Sequence, residues 1–114
     1  MAQEAKLMTE ESLLKIYHTG AITVVGFGGR PLNHRVDFSP YRHVLNDLIQ
    51  RSRCRVLAVD LAGVREVPAG MLGVLASIRK LVDRIEIHNP SAIARETLTA
   101  MQMGSLFDIH ESVA

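Results

Sequence analysis

The five histidines have the widest chemical repertoire in this chain, yet their spacing does not indicate a metal or catalytic site. They are His18, His34, His43, His88 and His110. No two of them have the HExxH spacing that places two ligands on one face of a helix. The pattern therefore favours separate surface histidines, and no metal ligand is predicted. His88 is distinguished by its place at the end of a predicted strand, because ligands often bind at the carboxyl edge of an open sheet.

The hydroxyl and thiol groups also lack catalytic partners along the chain. Ser39 and Ser91 each precede a predicted helix, where a serine side chain caps the first turn. Ser77 lies inside a predicted helix and is expected to bond back to it. Cys54 is the single cysteine, which excludes an internal disulfide and a cysteine-based metal site. The sequence thus predicts no catalytic residue and no cofactor, and the chain is not expected to be an enzyme.

The size and composition of the chain indicate one folded domain. The chain has 114 residues, of which 47% are hydrophobic. We expect residues 1–11 to be a flexible N-terminal segment and residues 12–114 to form a single domain. The net charge of +1 predicts no general attraction to nucleic acid or to an anionic membrane. No apolar run approaches the roughly 20 residues of a membrane span, and no signal-peptide core is present, so a cytoplasmic location is expected.

The apolar pattern predicts an α/β fold with a mixed sheet. An alternating stretch around Gly20 indicates an antiparallel hairpin. An unbroken apolar run, residues 56–59, indicates a strand buried on both faces, and residues 69–82 follow it with helical periodicity. Further helices are predicted from Ser39 to about residue 53 and from Ser91 to about residue 103. The predicted order is β-β-α-β-α-β-α-β, with parallel pairing across each helical crossover.

The start of the helix over residues 69–82 is the most informative stretch. Pro68 suits a first helical position, but Val67 before it has no side-chain acceptor, so the helix start is predicted to be uncapped. Its free N–H groups must bond to water, to an anion or to a partner. Val67 and Met71 are expected to present a small apolar patch beside them. The alternative, in which Met71 packs inward and water caps the helix, stays open.

This stretch resembles the STAS domain family (sulphate transporter and anti-sigma factor antagonist). Residues 60–64, DLAGV, and residues 72–75, LGVL, match the frame in which the family carries an Asp-Ser-Ser-Gly-Leu-Gly-Val-Leu type motif. Residues 87–93 are similar to the family's strand-to-helix segment, and residues 103–107 to the segment before its last strand. The resemblance covers roughly residues 14–110. It implies the STAS fold, a mixed sheet with helices packed on it.

The sequence differs from the family at the residues whose phosphorylation regulates binding. Residues 68–71, PAGM, replace the family's Asp-Ser-Ser-Gly, so the position phosphorylated in regulated members is Ala69, which has no hydroxyl. The acidic residue that follows the family's second strand is also absent, and residues 29–32 read GRPL. The further C-terminal helix that is usual in the family is not expected within residues 1–114.

The resemblance therefore implies a non-catalytic regulatory module without a phosphorylation site. Its partner would be an anti-sigma factor or kinase-like regulator, bound constitutively or as part of a scaffold, and a homodimer is left open. The expected partner-binding residues surround the helix start. They are Val67, Pro68, Ala69, Gly70, Met71 and Gly73.

A small-ligand sensor is the alternative function. The uncapped start at Pro68–Gly70 would hold an anion or a nucleotide, with Arg30 and the Gly28–Gly29 loop nearby. The glycine-rich stretch over residues 26–30 lacks both the GxGxxG spacing and the Walker lysine-hydroxyl pair, which weakens a phosphate-loop interpretation.

Overall fold

The computed structural model of the chain describes residues 13–29, 32 and 37–110. The predicted flexible segment over residues 1–11, Arg30 and His34 lie outside these residues. The described part contains five strands, three α-helices and one short 3-10 helix. The strands are β1 (Lys15–His18), β2 (Ile22–Gly26), β3 (Val56–Asp60), β4 (Arg84–His88) and β5 (Phe107–His110), and the helices are α1 (Ser39–Ser52), α2 (Ala69–Ile78) and α3 (Ala92–Ala100), with the 3-10 helix at Arg79–Leu81.

The five strands form one mixed sheet in the order β1-β2-β3-β4-β5. β1 pairs antiparallel with β2, and the other neighbours are parallel. Each crossover advances one strand in the same direction, and such crossovers are right-handed, so all three helices fall on one face of the sheet. The α/β class and the mixed sheet predicted from the sequence are confirmed. The 3-10 helix between α2 and β4 is not part of the predicted order.

The hydrophobic core lies between the helices and one face of the sheet. Alternate strand residues point into it, including Leu57, Val59, Ile85 and Ile87, each at most 1% exposed. All three helices contribute residues to the same core cluster. The other face of the sheet is not covered by any helix of the described residues. We call it the open face; it carries the intervening residues of the same strands.

The start of α1 differs from the prediction. Ser39 was expected to cap the helix, but the N-cap is Phe38, which makes no side-chain cap bond. Asp37 supplies the acceptor instead: its Oδ1 accepts from the Ser39 N–H at 3.0 Å and from the Ser39 hydroxyl at 2.8 Å. These two hydrogen bonds, the backbone one first, lower the pKa of Asp37 below its ordinary value. α1 ends at Ser52, close to the predicted end, and its C-cap Arg53 has φ 52°.

α2 and α3 are both shorter than predicted. α2 ends at Ile78 rather than Val82, and the chain tightens into the 3-10 helix. The Ser77 hydroxyl donates to the Val74 carbonyl at 2.6 Å, as expected for a serine bonding back to its helix. α3 ends at Ala100 rather than near residue 103, and Gln102, two residues after it, is left-handed with φ 56°.

The cap predicted for α3 is confirmed. The Ser91 hydroxyl oxygen accepts from the Ala94 N–H at 3.0 Å, and the same hydroxyl donates to the Arg65 carbonyl. The start of α3 is thereby tied to the loop between β3 and α2. Within the described residues, none of the helices has the length and apolar character needed to cross a membrane.

Candidate functional site

The loop that leads into α2 is held by its neighbours on both sides. The Leu61 N–H donates to the His88 carbonyl at 2.8 Å and extends the β3–β4 pairing beyond the strands. Gly63 has φ +79°, and a Cβ there would lie 2.9 Å from the Cα of Gly29 in the loop after β2. Only glycine fits this position, because the backbone is left-handed and the neighbouring backbone is too close for a side chain. The α2 start therefore has a fixed position at the carboxyl edge of the sheet.

The predicted apolar patch at the α2 start is wrong. Val67 is 4% exposed and Met71 is 1% exposed, and both belong to the core cluster. Pro68 is also buried. Met71 lies three and four residues before Val74 and Leu75, so it shares their inward face. The alternative expectation, that Met71 packs inward, is the correct one.

The solvent-facing part of the α2 start consists of three small residues. Ala69, Gly70 and Gly73 are exposed; we call them the α2 surface. A Cβ on Gly73 would meet nothing within 4 Å, whereas a Cβ on Gly70 would lie 2.8 Å from the Phe38 ring. Phe38 is 6% exposed and packs against Tyr41 at a centroid distance of 5.7 Å. The α2 surface therefore presents mainly backbone atoms, and the buried ring of Phe38 lies beside it.

The α2 start lacks a side-chain cap, as predicted. Pro68 was expected at the first helical position but is the N-cap, and Ala69 is the first helical residue. The Pro68 carbonyl accepts from the N–H groups of Met71 at 3.0 Å and Leu72 at 3.2 Å. Among the described residues, no acceptor is found for the N–H groups of Ala69 and Gly70. These two donors lie at the positive end of the helix dipole and face solvent. They can accommodate a carboxylate, a carbonyl oxygen or water.

Asp60 and Asn89 join two loops at the carboxyl edge of the sheet. Asp60 Oδ1 accepts from the Ala62 N–H at 2.9 Å, which starts the turn after β3. It also accepts from Asn89 Nδ2 at 3.1 Å. Asn89 has φ 57°, a conformation that asparagine tolerates better than most residues. This link between the loops after β3 and β4 was not predicted, because it joins residues 29 positions apart.

The open face combines apolar and ionisable side chains. Ile22 is 53% exposed and Tyr17 is 54% exposed, so part of this face is uncovered apolar surface. A shallow cavity of about 310 Å³ lies on it. The cavity is lined by Ile22, Val24, Ala58, Asp60, Glu86, His88 and Asn89.

Glu86, His88 and His110 lie together on the open face, contrary to the prediction of scattered histidines. His110 was expected to be separate from His88, but β5 extends to His110 and pairs it with His88. The two imidazole rings are stacked, with centroids 4.7 Å apart and planes 10° apart. His88 Nε2 lies 2.9 Å from Glu86 Oε1. The sequence signal for this cluster is weak, since the pairing of β4 with β5 must be known first.

Glu86 is held as a carboxylate by its neighbours. His88, and then Arg84, form hydrogen bonds to it that lower its pKa below the ordinary value, and the charge of His110 acts in the same direction. The Arg84 Nε donates to Glu86 Oε2 at 2.9 Å. The two oxygens therefore have separate partners, Arg84 on one and His88 on the other.

No model of a known protein family matches the chain, and no curated protein matches it either. The resemblance to the STAS family therefore rests on residues 60–64, 72–75, 87–93 and 103–107 of the sequence.

Proposed function

We propose that this chain is a non-catalytic protein-interaction module, similar to the anti-sigma factor antagonists of the STAS family, and that it docks through the α2 surface. The observation that carries the proposal is Ala69, an exposed residue without a hydroxyl at the uncapped start of α2. In the resembled regulators, a phosphate at this position adds nearly two negative charges and breaks the interface. A chain with Ala69 would stay competent to bind, as a constitutive partner or a scaffold subunit in the cytoplasm.

The burial of the neighbouring residues narrows the proposed contact surface. Val67, Pro68 and Met71 are buried beneath the helix start, so they are not available to a partner. Ala69, Gly70 and Gly73 present little side chain, which allows a partner to approach the helix backbone closely. The N–H groups of Ala69 and Gly70 would then donate to a carbonyl or carboxylate of the partner, at the end of the helix that favours negative charge.

The direct test is a negative charge placed on the α2 surface by Ala69→Asp. The new carboxylate lies in the first turn of α2, where the helix dipole stabilises a negative charge, so we expect the fold to be retained. The same carboxylate would block the proposed contact with the partner. We expect binding to a purified kinase-like anti-sigma factor, chosen from a panel, to weaken at least about tenfold, or about 1.4 kcal/mol. Biolayer interferometry with the full chain would measure it.

Ala92→Asp is the matched control for this test. Ala92 is the first residue of α3, as Ala69 is of α2, and both are exposed. The control should bind the partner within about twofold of the unmodified chain. If no member of the panel binds, or if Ala69→Asp binds as well as Ala92→Asp, the proposed docking surface is wrong.

The same two N–H groups favour a second candidate function, a sensor of small anions or nucleotides. A thermal-shift screen of inorganic phosphate and nucleoside phosphates separates the two functions. A ligand that raises the melting temperature of the chain, and fails to do so in Ala69→Asp, would support the sensor. Binding of a protein partner without any such shift would support the interaction module.

A further inference from the structure

Three potential ligands are brought together by the register of two strands. Glu86 and His88 are two residues apart on β4, and the two-residue period of a strand places both on the open face. The parallel pairing puts His110 of β5 directly beside His88. One nitrogen from each histidine and one carboxylate oxygen all lie within 4.8 Å of one another.

The backbone beneath these side chains is anchored in the core. Ile85 and Ile87 alternate with Glu86 and His88 along β4, and both isoleucines are fully buried. The side chain of Glu86 itself is only 16% exposed. A site built on such strands is held more rigidly than a site on loops.

Glu86 is oriented by a further residue. Because Arg84 Nε holds Glu86 Oε2 at 2.9 Å, the other oxygen is directed towards His88. Outer partners of this kind fix the direction of a ligating carboxylate. Arg84 is therefore a positioning residue, and Glu86, His88 and His110 are the residues that can reach a shared atom.

We propose that Glu86, His88 and His110 form a binding site for a divalent transition metal of the zinc class. Two imidazoles and one carboxylate are a donor set that zinc accepts, with a fourth position left for water. In a tetrahedral site with bonds of about 2.0–2.2 Å, the ligand atoms lie about 3.3–3.6 Å apart. The ligand atoms are now up to 4.8 Å apart. Rotation of the side chains would bring them into that range, because His88 and His110 are not enclosed by the core.

The donor set also defines what the site would reject. Magnesium prefers six oxygen ligands and retains its water, so two imidazole nitrogens are a poor match for it. The fourth zinc position lies on the open face, where Glu86 and His88 also line the cavity of about 310 Å³. Water or a small anionic group in that cavity is the class of ligand that would complete the metal's coordination.

Isothermal titration of the full chain with Zn²⁺ tests the proposal. We expect one saturable site per chain, no heat with Mg²⁺, and a loss of affinity of at least about tenfold in both His88→Ala and His110→Ala. His43→Ala is the matched control, because His43 is exposed on α1 and lies outside the cluster. It should bind zinc as the unmodified chain does.

Two further measurements keep the test specific. The imidazole nitrogen resonances of His88 and His110 should shift together when one equivalent of zinc is added, and those of His43 should not. Circular dichroism should show that both alanine variants keep the fold, as expected for side chains outside the core. Absence of saturable binding would overturn the proposal. So would zinc binding that persists when His88→Ala and His110→Ala are combined in one chain, or that weakens equally in His43→Ala.

Discussion

The α2 surface and the open face of the sheet expose different chemical groups to solvent. The α2 surface consists of Ala69, Gly70 and Gly73, so it presents mainly backbone, and its larger neighbours Val67 and Met71 point into the core. The open face presents long and ionisable side chains on rigid strands, among them the cluster of Glu86, His88 and His110.

This difference separates two kinds of function within one small domain. A surface of backbone and small residues suits close docking of another protein, and it can be blocked by a single added charge. A surface of spaced nitrogen and oxygen donors suits an ion or a small ligand. The motif that resembles a known family identified the first region, whereas the second appears only once the strands are paired.

The largest expected effect is at the inward side of the α2 start. Met71→Asp would bury a carboxylate in an apolar core, and we expect it to lower the free energy of unfolding by at least about 4 kcal/mol or to prevent folding. Gly73→Asp, two residues further along the same helix but exposed with free space around it, should change stability by less than about 0.5 kcal/mol. Urea denaturation measures both. Equal effects would contradict the division of α2 into a buried and an exposed side.

An intermediate effect is expected at the border between the α2 surface and Phe38. Gly70→Ala places a methyl group 2.8 Å from the Phe38 ring, so the ring must move, at a cost of about 1–3 kcal/mol. Gly73→Ala makes the same change where no atom lies within 4 Å. It should stabilise the chain by up to about 1 kcal/mol through helix propensity. Thermal unfolding that ranks the two variants in the opposite order would show that Phe38 does not lie against Gly70.

The smallest effect concerns the open face and depends on pH. The pKa of Glu86 is lowered in the folded chain by His88 first and by Arg84 next. A lowered pKa means that the carboxylate contributes stability at pH values above its ordinary pKa of 4.5. That contribution disappears as the pH falls through the lower, folded value. Asp60, Asp108 and His110 are further ionisable side chains in this region of the sheet.

Glu86→Gln removes this contribution, so its stability should fall less than that of the unmodified chain as the solution is acidified below pH 4.5. Carbon-detected titration of the Glu86 carboxyl group measures the pKa itself. A midpoint above the ordinary glutamate value would show that burial, rather than the two hydrogen bonds, dominates at this site.

Local patterns were sufficient for much of the fold. The alternation of Ile85 and Ile87 predicted β4, and Ser91 was identified correctly as a cap because its partner is three residues away. Ser39 was misassigned because Asp37, two residues earlier, offers a stronger acceptor to the same turn. The sequence left open whether Met71 is exposed or packs inward, although its spacing from Val74 and Leu75 indicated the inward face.

The cluster on the open face could not be derived in the same way. His88 and His110 are 22 residues apart in the sequence and come together only through the register of β4 and β5. Parallel strands are connected through a helix, so no turn length fixes their register in advance. The link between Asp60 and Asn89 was missed for the same reason.

Because the helices cover only one face of the sheet, this chain can accept substitutions on the other face during evolution. Residues that secure folding and residues that meet the solvent alternate one by one along β4, from Arg84 to His88. Substitutions at every second position can therefore alter the chemistry of the exposed side while the packed side stays the same. The same five-stranded sheet could in this way gain, lose or exchange a bound ligand without a change in its core packing.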